Sequence, residues 1–249
     1  MLSVLYALFG FVVGVVLNVL ADDLPAKAGV HPPHCPQCDH RYGPAGWPAL
    51  GRLLFYKGQC PQCGFRVRRR AVALEIIIPL VFAYLPFVLT HLPTLFFVAL
   101  YVAILILVIV IDLEHRLILH AVTFPATALA LAGSFFVNYT SFWLAVIGAV
   151  LGFIIFLLFF LLGQFLFGPG ALGFGDVTLS MTMGAMLGFP YIIFALVIGI
   201  LIGGVFSLLL LLSRLRSRRS TIAYGPYLAL GGLIMVIWGP QLYHWYVTL

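Results

Sequence analysis

Apolar runs of membrane-spanning length follow one another along almost the whole chain, and no water-soluble fold can bury that many. A helix needs about 20 apolar residues to cross a bilayer. Runs near that length occupy 2–20, 72–90, 95–111, 117–137, 142–165, 191–212 and 223–238, with a shorter one at 177–187. Of the 249 residues 63% are hydrophobic and 8% charged, which excludes a soluble globular domain. The expected class is an all-α polytopic membrane protein of about eight transmembrane helices. The run at 177–187 is bounded by Gly188-Phe189-Pro190 and reads either as a short span or as a partial helix, tolerated where protein surrounds it. The first run has no basic segment ahead of it and no small-x-small cleavage site, and Asn18 lies within it. It reads as a retained span and not as a signal peptide.

Charge orients these runs. With the amino terminus outside, the inner segments are 21–71, 112–116, 166–176 and 213–222, and all 13 Lys and Arg fall in them. Basic residues accumulate on the cytoplasmic side of membrane proteins, so those segments are expected to face the cytoplasm. The net charge of +6 then reports topology and not nucleic-acid binding. Arg66 to Arg70 and Arg214 to Arg219 read as basic strips at anionic headgroups. The expected organisation is a first transmembrane helix at 1–20, a cytoplasmic domain at 21–71 and a bundle at 72–249.

Residues 21–71 are about 50 in number, too few for an ample core, and such a piece needs a staple. All four cysteines lie there, as Cys35-Pro36-Gln37-Cys38 and Cys60-Pro61-Gln62-Cys63, with 21 residues between the inner pair. Two such pairs at that separation are a four-thiolate zinc signature. Two disulfides are the competing reading, but structural disulfides are rare in a reducing cytoplasm. Four thiolates close a tetrahedral site, so the expected Zn²⁺ is single and structural. His34 and His40 read as neighbours of the site.

The chemistry is expected elsewhere. Asp112 ends one apolar run, and Asp176 stands in Gly173-Phe174-Gly175-Asp176 ahead of another. An ionisable residue at such a place is expensive and therefore a functional-site hypothesis by default. In the topology above both lie at the inner face. Two neighbouring carboxylates resist ionising together and share a proton, so one can activate water while the other polarises a carbonyl. That is peptide hydrolysis with no covalent intermediate. Gly173 and Gly175 allow close backbone approach beside Asp176. Glu75 reads as a carboxylate near the start of its span, close to Arg68 to Arg70, or as part of a site for a substrate amine or methyl donor. Glu114 and His115 read as turn residues.

These features together make the chain resemble the type IV prepilin peptidases, intramembrane aspartyl proteases with a Gly-x-Gly-Asp motif. The resemblance is carried by Gly14, Asn18 and Val19, Leu24-Pro25, the two cysteine pairs, Arg70 to Glu75, Asp112-Leu113-Glu114-His115, Gly173 to Asp176, and Tyr224-Gly225-Pro226-Tyr227-Leu228. It implies removal of the basic leader from prepilins and pseudopilins at the cytoplasmic side of the bacterial inner membrane, with Asp112 and Asp176 as the catalytic pair. It also implies methylation of the new amino terminus with S-adenosylmethionine, which the cysteine-bearing loop accompanies in bifunctional members. Two positions depart from the family pattern: Leu119-His120 stand where a Pro-Asp pair is usual, and Asp23 where a basic residue is usual. A peptidase without methyl transfer is the nearest alternative. A transporter is the rival from another class, but it would show internal repeats and midplane carboxylates, and neither is evident. Asp22, Asp23 and Asp39 are further candidates for attracting a basic leader.

Overall fold

The computed structural model describes residues 1–26, 29, 31–168, 172–213 and 224–248. Lys27 and the basic strip Arg214 to Arg219 lie outside them. Among the described residues the chain is helical: α1 (Leu2–Asp23), α2 (Ala49–Phe55), α3 (Arg69–Val88), α4 (Leu92–His115), α5 (His120–Gly133), α6 (Phe142–Phe167), α7 (Phe174–Leu187), α8 (Tyr191–Leu212) and α9 (Gly225–Val247). Each apolar run becomes a helix, and six, namely α1, α3, α4, α6, α8 and α9, are long and apolar enough to cross a membrane. Of the about eight spans expected, one of them short, α5 and α7 fall below spanning length at 14 residues each. In α5 the cause is local: Leu119 is extended, so the helix starts only at His120. α9 runs past the expected end at 238 to Val247, since Gln241 and His244 lower the local hydropathy without breaking the helix. The result is a multi-pass membrane protein with two short helices among the long ones.

The helices gather in two compact units, Met1–Thr90 and His91–Leu249. The division falls after α3, a helix that the sequence alone joins to the later bundle. In the first unit α1 and α3 pack side by side. Glycine brings them together: a Cβ on Gly10 would stand 2.9 Å from Pro79 Cα and Phe82 Cβ, and one on Gly14 would stand 3.4 Å from Glu75 Cα. Apolar lipid gives helices little reason to associate, so close backbone approach through small residues carries the pairing.

In the second unit α7 is the enclosed element, packed against α5, α6 and α9. Its polar residues are met on two sides. Toward α6, Ser180 Oγ donates to the Gly152 carbonyl at 2.8 Å. A Cβ on Gly148 would collide with the carbonyl oxygen of Gly184, and one on Gly184 with that of Gly148. Toward α5, Thr123 donates to Thr178 at 3.3 Å, Thr127 and Thr182 share a bond of 2.9 Å, and Thr182 also reaches the Thr123 carbonyl at 3.1 Å. A helix too short to span is thereby surrounded by protein, as the partial-helix reading requires.

Gly184→Ala should therefore push α6 from α7 and cost about 1–3 kcal/mol, lowering the thermal midpoint of the detergent-purified protein by several degrees. Gly204→Ala is the control, because a Cβ there meets nothing within 4 Å. Equal midpoints for the two variants would refute the close α6–α7 contact.

Candidate functional site: a cysteine cluster and a buried aspartate pair

The first unit brings the four cysteines together. The Sγ atoms of Cys35, Cys38, Cys60 and Cys63 all lie within 4.8 Å of one another, a group able to hold a metal ion. The two Cys-Pro-Gln-Cys segments fold alike. Cys35 N donates to the His40 carbonyl and Cys60 N to the Phe65 carbonyl, each at 2.9 Å, while Asp39 N and Gly64 N return to the carbonyls of Cys35 and Cys60. The turn needs a left-handed residue, which Asp39 supplies in one copy at φ 55° and Gly64 in the other at φ 71°. Closest approaches are 3.6 Å for Cys35 with Cys63 and 3.7 Å for Cys38 with Cys60. All four are free thiols. A disulfide would bring sulfurs to about 2.05 Å, whereas four thiolates at about 2.3 Å from one zinc stand about 3.8 Å apart.

The thiols cannot all carry charge without a cation. For Cys60, burial opposes ionisation, but the backbone N–H groups of Cys63 and Gln62 and the Tyr42 hydroxyl outweigh it and bring the thiol down to about 6. For Cys38, the His40 N–H favours the thiolate, but loss of solvent and the three neighbouring thiols push it up to about 12. Neither histidine joins the cluster. His34 Nδ1 lies 3.2 Å from the Pro32 carbonyl, and the His40 ring packs edge-on to Tyr42.

Glu75 and the aspartates near α1 are engaged inside the first unit. Glu75, only 2% exposed, accepts from Ala49 N at 2.7 Å, Leu50 N at 2.9 Å and Asn18 Nδ2 at 3.2 Å. Its oxygens therefore cap the start of α2, and contact with a methyl donor would require that cap to open. Asp22 pairs with Arg68 at 2.8 Å and Arg70 at 2.7 Å. Asp23 is buried and accepts from His31 N at 2.9 Å. Attraction of a basic leader by Asp22 and Asp23 is not supported, because both carboxylates are spent on internal partners. Asp39 remains exposed.

The second unit brings Asp112 and Asp176 together. Asp112 stands in the last turn of α4 and Asp176 in the first turn of α7, and they are 4% and 7% exposed. The two carboxyl groups are near enough to interact electrostatically. Asp112 accepts the backbone N–H of Gly225, the first residue of α9, and a Cβ on Gly225 would overlap Asp112 Oδ2. Asp176 accepts the N–H of Gly173, while its Oδ1 is buried with no hydrogen-bond partner. Ile118 packs between the start of α7 and the start of α9: a Cβ on Gly175 would lie 2.7 Å from its Cβ, and one on Gly225 would lie 2.8 Å from its Cδ1. Tyr224 lies close enough for its hydroxyl to feel the Asp176 charge.

Sequence reasoning singled out both aspartates but gave no role to Ile118, Tyr224 or Gly225. A signal for the last was present, since Gly225-Pro226 between apolar residues marks a helix start, and such starts present N–H groups to anions. His120, at one of the two departures, lies 3.3 Å from the Thr178 hydroxyl and packs on Phe174. Glu114 and His115 are not turn residues but the last two residues of α4; they approach each other at 4.0 Å and stay at the surface. Two buried carboxylates, one of them with an oxygen that has no hydrogen-bond partner, can pass a proton to and from a water and a carbonyl.

The chain is similar to known proteins over most of its length. Residues 99–208 match the type IV leader peptidase family, and residues 8–89 match the bacterial peptidase A24 N-terminal domain. Relatives named prepilin leader peptidase/N-methyltransferase include one from Aeromonas salmonicida, 28% identical over 86% of this chain and 74% of that protein. One from Bacillus subtilis is 25% identical over 100% and 99% of the two chains, and one from Pseudomonas aeruginosa is 26% identical over 86% and 73%. No solved structure matches the chain. Two adjoining matches, one on each compact unit, together with relatives that cover nearly all of the sequence, place this chain in the type IV leader peptidase family.

Proposed function

We propose that this protein is a prepilin leader peptidase that also N-methylates the amino terminus it exposes, with Asp112 and Asp176 as the catalytic pair. The observation that carries the reading is the buried pair, presented by the end of α4 and the start of α7 and held against the first residue of α9. The pair shares one proton. Its ionised member takes a proton from water as the oxygen attacks the scissile carbonyl carbon, and its protonated member donates to the carbonyl oxygen. The tetrahedral diol then collapses: the C–N bond breaks, the amine leaves with a proton from the protonated aspartate, a diol hydroxyl returns its proton to the ionised one, and the new carboxylic acid departs from a pair that again holds one proton. Gly225 N–H and the packed Ile118 keep the Asp112 carboxylate oriented through this cycle.

The substrates are prepilins or pseudopilins. An apolar helix in the bilayer and a basic leader in the cytoplasm would bring the scissile bond to the membrane boundary, and the basic composition of 21–71 supports a cytoplasmic orientation at the inner membrane. S-adenosylmethionine supplies the methyl group of the second reaction when bound. For the cysteine cluster we infer one structural Zn²⁺ on Cys35, Cys38, Cys60 and Cys63. The sulfur spacings of 3.6 and 3.7 Å fit the edge of its tetrahedron, and four thiolates leave no position for a reactive water.

Incubating purified protein with a prepilin-like peptide and S-adenosylmethionine, then reading masses, tests the peptidase assignment. Wild type should release the leader and add one methyl group. Asp112→Asn and Asp176→Asn should each cut cleavage at least about 10³-fold, since neither carboxylate alone does both jobs, with thermal midpoints near wild type. Cleavage by either variant above a few per cent of wild type, a loss of less than about 30-fold, would remove that aspartate from the mechanism.

Gly225→Ala should lower kcat at least about tenfold with little change in KM, because it displaces a carboxylate used in the transition state and not in ground-state binding. An unchanged kcat would show that Asp112 does not need this N–H.

For the metal, Co²⁺ substituted into the purified chain should give thiolate charge-transfer absorption, and Cys38→Ser or Cys60→Ser should weaken binding by about tenfold or more. Thiols that stay reactive in the presence of metal, with no such absorption, would exclude a four-thiolate site.

A further inference from the structure

Helix α2 is unusual in carrying its largest apolar side chains outward. Ala49 and Gly51 are its buried residues, while Leu53, Leu54 and Phe55 are 43%, 79% and 70% exposed, with Trp47 just ahead of it at 45%. A cytoplasmic loop would normally show charge there. The start of α2 is held by Glu75, which sits six residues beyond the first residue of α3, Arg69. At about 1.5 Å rise per residue, that places the α2 start up to about 9 Å along α3 from its arginines. Arg68 and Arg70, paired with Asp22 near the end of α1, mark the headgroup level. An apolar helix face at 5–10 Å below that level is at the depth where interfacial helices lie.

We infer that α2 is an interfacial anchor, lying in the headgroup–acyl boundary with Leu54, Phe55 and Trp47 against lipid, and that Glu75 sets its depth. The occupant of this apolar face is lipid because α2 is fastened through Ala49 and Leu50 to Glu75 of a span whose next residues are themselves turned outward, Ile76, Ile77 and Leu80 being 47%, 50% and 64% exposed. The capping arrangement follows from that depth. Backbone N–H groups at a helix start must find acceptors, and within the boundary water is scarce, so the protein supplies a carboxylate to Ala49 and Leu50. Asn18 of α1 ties the same carboxylate to the first span through its bonds to Glu75 and the Ala71 carbonyl. Trp47 meets the same demand, donating its ring N–H inward to the Tyr42 carbonyl at 3.1 Å while its ring faces outward.

The test uses the full chain in vesicles of phosphatidylethanolamine and phosphatidylglycerol, with a genetically encoded fluorescent amino acid at Leu54 or, as the exposed reference, at Gln37. Lipids brominated high on the acyl chain should reduce the Leu54 signal by about half, and aqueous iodide should quench it at least about threefold less than the Gln37 signal. Glu75→Gln, with retained Co²⁺ absorption of the cysteine cluster as the folding check, should raise iodide access at position 54 toward that at 37. Equal iodide quenching at the two positions in the wild type would show a face open to water and overturn the inference. Protection from both quenchers would also overturn it, because a second copy or another polypeptide would then cover the face. Unchanged depth in Glu75→Gln would overturn the role given to Glu75. None of these readouts depends on cleavage, so their failure is distinct from failure of the peptidase reading.

Discussion

Polar groups inside an apolar medium must find their partners within the protein, and the organisation of this chain follows from how it meets that demand. α7 holds Asp176, three threonine and serine hydroxyls and two glycines, a content that lipid would not tolerate. α5 answers with Thr123 and Thr127, α6 with the Gly152 carbonyl, and both accept a close approach to do so. The long helices are thereby arranged around a short one. The aspartate it carries is delivered to the end of α4 without an extended loop.

The same demand shapes the first unit at its boundary with water. Glu75 is a charged residue buried beside a helix pair, which would be costly without compensation. It is compensated by three donors from two other segments, α2 and α1. Removing any one of them would leave the charge short of a partner, so α1, α2 and α3 are coupled through a single carboxylate.

Much of this was legible in the sequence because it rests on composition and spacing. The apolar runs located the helices, the paired cysteines located the metal-ligand cluster, and the two carboxylates stood out where carboxylates are expensive. What remained hidden depended on tertiary partners. Ala49–Phe55 is too short for periodicity to reveal a helix inside a loop. Glu75 and Asp23 could be noticed as polar, but nothing local says that one caps a distant helix and the other accepts from His31 N. The lengths of α5 and α9 were misjudged because hydropathy measures burial from water and not helix continuity: an extended Leu119 shortens one, and Gln241 and His244 continue the other.

The twofold likeness of the cysteine segments bears on how the first unit holds its shape. Each segment alone offers two sulfurs and a tight turn, and neither can enclose an ion. Drawing them together closes the stretch from Cys38 to Cys60, which contains Trp47 and the whole of α2. By the arithmetic that applies to a covalent crosslink over a loop of this size, such closure removes about 3 kcal/mol of disorder from the unfolded chain. A cation at the four sulfurs would thus act as a hinge pin at one end of α2, with the Glu75 carboxylate as the latch at the other.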